Sequence, residues 1–151
     1  MDAIVCDTSS LIRLFKSGSL ALIAVGFDQV FIPDAVLEEC GAELRQAIAA
    51  QQFVRIESSS DIVTKYGRGE RAMLNAALAW NIPNILTDDD KAAREAVRHA
   101  LTPFSALDIL VLAKQSGAAI SIRALVDEMI AKNERIEPDD IRQALADTGE
   151  L

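Results

Sequence analysis

Short apolar runs that each hand over to a helical stretch constrain this chain more than any other feature. Ala3-Ile4-Val5-Cys6 ends in Asp7, and Thr8-Ser9-Ser10 then supplies hydroxyl caps for a helix carrying Leu11, Ile12, Leu14 and Phe15. After a helical stretch over 20–25 comes the β-prone Gln29-Val30-Phe31-Ile32. Pro33-Asp34 then opens a helix in which Val36, Leu37, Cys40 and Leu44 recur at helical spacing. Phe53-Val54-Arg55-Ile56 reads as another strand, and the polar 57–61 stretch as a surface loop. Gly67-Arg68-Gly69 precedes an alanine-rich helix over 70–80, and Ile85-Leu86-Thr87 is a short buried strand. Helices over 91–99, 106–115, 122–132 and 138–146 complete the pattern. Three to five apolar strands alternating with helices predict an α/β fold, a three-layer α/β/α domain on a mostly parallel sheet.

Composition narrows the function. The 151 residues carry 15 basic and 23 acidic side chains, a net charge of −8, which argues against a broad basic surface for wrapping duplex DNA. The length predicts one domain, 1–151. No window offers the roughly 20 uncharged residues a bilayer demands, and MDAIVCD lacks the basic and apolar start of a secretory signal, so a cytoplasmic location is expected. Cys6 and Cys40 form no CxxC pair and read as buried thiols. With one histidine, His99, a histidine-rich metal site is excluded, and no GxSxG elbow presents a serine nucleophile.

The acids carry more information. In parallel sheets ligands bind beyond the carboxyl ends of strands, where Asp7 and the Asp88/Asp89 pair both fall. Strand ends brought together at the centre of a sheet would set like charges close to one another, an arrangement that a cation relieves. Oxygen ligands without His or Cys suit Mg²⁺ or Mn²⁺. Glu39, on the helix after the second strand, and Glu70, opening the alanine-rich helix, are placed to complete such a cluster. The same acids also serve as ordinary helix caps, Asp7 for one helix and 88–90 for another, and spacing alone does not separate the two readings.

The order IVCDTSSLIRLF, IPDAVLEEC, GRGERAMLNAALA, ILTDDDKAAR closely resembles the PIN-domain family of nucleases, in particular its small prokaryotic branch related to VapC-type toxins. The closing IEPDDIRQALADTGEL is similar to that branch as well. Carried over residue by residue, the resemblance implies a metal site of Asp7, Glu39, Glu70 and Asp89, the last within Thr87-Asp88-Asp89. Asp88 stands as the alternative ligand to Asp89. Glu38 stands beside Glu39, and a helix separates neighbours by about 100°, so only one of that pair faces inward.

Such a site implies metal-dependent hydrolysis of a phosphodiester, with RNA as the substrate the resemblance favours. Asp7 and Asp89 would ligate the ion directly, while Glu39 and Glu70 would bind a second ion or its waters. Thr8 or Ser9 would contact water or phosphate, and Arg68 and Arg71, flanking Glu70, the backbone. A toxin role with a small antitoxin partner, and a homodimer, follow from the same resemblance. The competing reading is a non-catalytic interaction module on the same fold. A receiver domain, an Asp-x-Asp phosphatase, a dinucleotide fingerprint and a P-loop all lack residues they require.

Overall fold

The computed structural model describes residues 3–57 and 61–151. Its sheet has five strands, β1 (Ala3–Cys6), β2 (Gln29–Pro33), β3 (Val54–Ile56), β4 (Asn84–Leu86) and β5 (Thr102–Phe104), in the order β3-β2-β1-β4-β5. Every pairing is parallel. The helices are α1 (Thr8–Lys16), α2 (Ile23–Gly26), α3 (Asp34–Glu39), α4 (Ala42–Ala49), α5 (Arg68–Ala79), α6 (Asp90–Arg98), α7 (Ala106–Gln115), α8 (Ile122–Ala131) and α9 (Pro138–Asp147), with a 3-10 turn at Leu20–Leu22.

The central strand explains the layering. Strand residues alternate faces. Ile4 and Cys6 join Leu11, Leu14, Val36 and Ile109 in one core, whereas Val5 joins Met73, Leu74, Ile85 and Ala92 in the other. Both faces of β1 are therefore covered, which is why its sequence is apolar without interruption. Burying each such Ile, Leu or Met stabilises the fold by about 1.5–3 kcal/mol. On the second face Ala76 and Ala77 are fully buried, so α5 seats closely on the sheet.

Two expectations are corrected. The helix read through Val36, Leu37, Cys40 and Leu44 is two helices, because Cys40 takes an extended conformation and Gly41 caps a new start at Ala42. The apolar spacing continued across the break, but the glycine did not continue the helix. The other is β5, which lay unassigned between two helices. It is short and carries Pro103 at its centre, which its edge position tolerates.

The carboxyl-terminal segment is fastened by one side chain. Glu150 accepts hydrogen bonds from Lys114 Nζ (2.6 Å), Ile122 N (2.6 Å), Arg123 N and Ser121 Oγ (both 3.1 Å), capping α8 at its amino end. Burial opposes ionisation, yet these donors hold the carboxyl down at about 2. Because its folded-state value is depressed, the stabilisation is present above the unfolded value of 4.5 and is lost as pH falls towards about 2. Glu150→Gln is expected to cost about 1 kcal/mol near neutrality, with the deficit closing in acid, as read from thermal melts across pH.

Candidate active site

The site grows out of the register between β1 and β4. Cys6 pairs with Leu86, and Asp7 N donates to Leu86 O at 3.0 Å, so Asp7 and Thr87 emerge side by side at the carboxyl edge of the sheet. Asp7 is 1% exposed. It caps α1 by accepting from Ser10 N (3.0 Å), Ser9 Oγ lies 3.4 Å from the same oxygen, and Thr87 Oγ1 donates to the other at 2.6 Å. Thr87 Oγ1 in turn accepts from Asp89 N at 3.1 Å, so one hydroxyl fixes both the Asp7 carboxylate and the turn that carries Asp89.

Burial pushes the Asp7 carboxyl up to about 6, with the Asp88 charge adding to it and the hydrogen bonds from Thr87 and Ser10 opposing. The cap reading and the site reading thus meet in one residue. A cap needs no such burial, and an anion held this far from water is poised for a cation.

The consecutive aspartates have separate tasks. Asp88 accepts from Ser10 Oγ at 2.7 Å, Arg13 Nη1 at 3.0 Å and Ala106 N at 3.2 Å, joining α1 to the start of α7. Arg13 also binds Glu134 Oε1 and Arg135 O, each at 3.0 Å, which ties this edge to the turn between α8 and α9. Asp89 caps α6 through Oδ1, 2.8 Å from Ala92 N, and its Oδ2 is hydrogen-bonded to no described residue. Asp90 is exposed.

The expectation that one glutamate of α3 faces inward is corrected, since both are exposed, although their side chains do diverge. Glu38 pairs with Arg68 on the surface, while Glu39 Oε1 lies 3.4 Å from Thr8 Oγ1, next to Asp7 in sequence. The position of Glu39 depends on Gly69. A Cβ on Gly69 would overlap Glu39 Oε1 and stand 3.1 Å from Thr8 Oγ1. Glu70 folds back against Gly67, the residue that caps its own helix. Arg68 and Arg71 line a groove of about 330 Å³ together with Asp34, Glu38, Glu57 and Asp61, so their surroundings are acidic.

The structure therefore brings Asp7, Thr8, Ser9, Thr87 and Asp89 to one edge, with Glu39 on Thr8 and Asp88 on Ser10. Glu70 meets no hydrogen-bonding partner among the described residues. Among those residues, no three Asp, Glu, His or Cys side chains converge closely enough to grip an ion as they stand. The donor chemistry nonetheless fits a hard divalent cation: the nearby oxygens are carboxylates, one Asp89 oxygen has no hydrogen-bonding partner among the described residues, and the missing side chain of Gly69 lets the Glu39 carboxylate sit against α5 beside Thr8. From the sequence Ser10 reads only as a cap, and Gly69 is given no part in placing Glu39. The Asp-x-x-Ser spacing signalled Ser10, but nothing local signalled that Arg13 reaches Asp88.

A family model described as a PIN domain matches residues 3–150. The chain belongs to the PIN-domain family. PIN domains are generally nucleases that use divalent metals, and this one has the nuclease-like fold of its family. No curated protein matches it.

Proposed function

We propose that this PIN domain is a divalent-metal-dependent ribonuclease that hydrolyses RNA phosphodiester bonds, and that it acts as a VapC-like toxin. The observation that carries the reading is Asp7, a carboxylate 1% exposed, at the carboxyl end of the central strand, raised to about 6 by burial. Asp7 and Asp89 supply oxygens to Mg²⁺ or Mn²⁺, and Glu39 and Glu70 hold a second ion or its waters. Asp88, committed to Arg13 and the start of α7, anchors the edge. Bound metal supplies an activated water and polarises the phosphoryl oxygen. Thr87 orients Asp7, Thr8 and Ser9 present hydroxyls to water or phosphate, and Arg68 and Arg71 meet the backbone. Family resemblance supports the remaining parts of the proposal: a small antitoxin partner and a homodimer.

The second reading, a non-catalytic interaction module that binds protein or nucleic acid, is favoured by the lack of a ready-made three-ligand cluster among the described residues. One pair of measurements separates them. Wild type is expected to cleave RNA with Mg²⁺ or Mn²⁺, to stop in EDTA, and to lose at least about 100-fold in rate on Asp7→Asn. Calorimetry is expected to show Mn²⁺ binding that Asp7→Asn weakens. Cleavage indifferent to EDTA, or Mn²⁺ binding unchanged in the variant, rejects the proposed site.

A further inference from the structure

We propose that the exposed face of α6 is the track along which a single-stranded polynucleotide runs from the carboxylate edge, gripped through its phosphates by Lys91, Arg94 and Arg98. The inference rests on the nuclease reading for where the strand begins, and on α6 itself for where it goes. Asp89 caps this helix, so its amino end stands at the site. Residues 91, 94 and 98 recur at i, i+3 and i+7, which aligns them on one side of a helix over about 10 Å. All three are exposed.

Two of the three charges are not consumed locally. Lys91 and Arg94 have no carboxylate partner among the described residues. Arg98 reaches Glu95 at 2.9 Å, but that carboxylate also meets His99 and Tyr66. Helix stability accounts for Arg98, a cation in the last turn. It does not account for Lys91, which stands in the first turn, where the helix dipole disfavours a cation. Between the arginines Val97 is 62% exposed and, with Ala93 and Pro103, floors a shallow depression of about 400 Å³ whose rim is Arg94 and Arg98. An apolar floor under guanidinium groups suits a sugar and base lying beside a held phosphate. Arg68 and Arg71 offer the backbone only a contact beside the site and not a continuing path, since four carboxylates line their groove and Glu38 already occupies Arg68.

The test is the salt dependence of binding to a labelled single-stranded RNA in EDTA, with a DNA of the same sequence alongside. For Lys91→Gln/Arg94→Gln the slope of log K against log salt is expected to fall by about 1.4, from about 0.7 per lost phosphate contact on a single strand. The fall is expected on both polymers, because phosphate is what the face reads. Both side chains are exposed, so the fold should tolerate the changes, and unaltered melting confirms it. An unchanged slope, no binding at all, or a fall confined to Arg68→Gln/Arg71→Gln overturns the track and leaves α6 to an acidic protein partner. Cleavage with Mg²⁺ by wild type is scored separately: a reduced slope without cleavage keeps the track and removes the hydrolase, and cleavage with an unchanged slope does the reverse.

Discussion

Asp7→Asn is expected to melt higher than the wild type by roughly 6–12 °C at pH 7 in EDTA, while losing the proposed metal-dependent cleavage. Burial raises this carboxyl from 3.8 to about 6, so ionising it in the metal-free fold costs about 3 kcal/mol. The sign follows from proton linkage. Between 3.8 and about 6 the folded state holds the proton more tightly than the unfolded chain does. The favourable contribution is whole below 3.8 and is lost as pH rises through about 6. Asparagine removes the titration and keeps an oxygen for Ser10 N, and Thr87, whose hydroxyl both donates and accepts, can turn to the new amide. The two proteins should therefore melt alike below about pH 4, diverge as pH rises from there to about 6, and keep a constant gap above it, which Mg²⁺ should narrow by stabilising wild type alone. A variant less stable than wild type at every pH would show that Asp7 is a structural cap and nothing more. A side chain that weakens its own fold in order to bind an ion is the usual trade at a functional site.

Gly69→Ala is expected to weaken metal binding without the gain in stability. The added methyl overlaps Glu39 Oε1, which lies at the free end of a side chain and swings aside at little cost. Alanine is also the better helix former, so the fold should change by less than about 1 kcal/mol. The displaced carboxylate, however, leaves Thr8, and Mn²⁺ affinity is expected to fall about 10- to 100-fold. Calorimetry beside thermal melts checks both halves. Unchanged affinity with unchanged stability would remove Glu39 from the site.

Much of the architecture was legible because it is written locally. The apolar runs of β1, β2 and β4, the Asp7 cap of α1 and the spans of α7 and α8 follow from patterns a few residues long, whereas Thr8, Ser9 and Ser10, read as hydroxyl caps, lie inside α1. The break at Cys40-Gly41 was legible from the glycine, but apolar spacing masked it. Strand β5 was not, because a proline in a three-residue strand erases the usual signal and only its neighbour β4 gives it a ladder. The site divides along the same line. Asp7 announces itself as strand-end acid and cap. The separate fates of Asp88 and Asp89 depend on Ser10, Arg13 and Ala106, and those of Glu38 and Glu39 on Arg68 and Thr8. These contacts join segments far apart in the chain, and no short window contains them.

The placement of β1 between β2 and β4 bears on how the molecule comes into being. Residue 6 pairs with residue 86, so the ladder that sets Asp7 beside Thr87 closes a loop of about eighty residues. Such a distant pairing costs loop-closure entropy before its contacts reward it, which slows its formation. A partly folded chain, with β1 and β2 joined but β4 still free, would hold half the carboxylates and no grip on phosphate. On the proposed ribonuclease reading, inertness until the sheet is whole would spare the messenger from which the chain is being read.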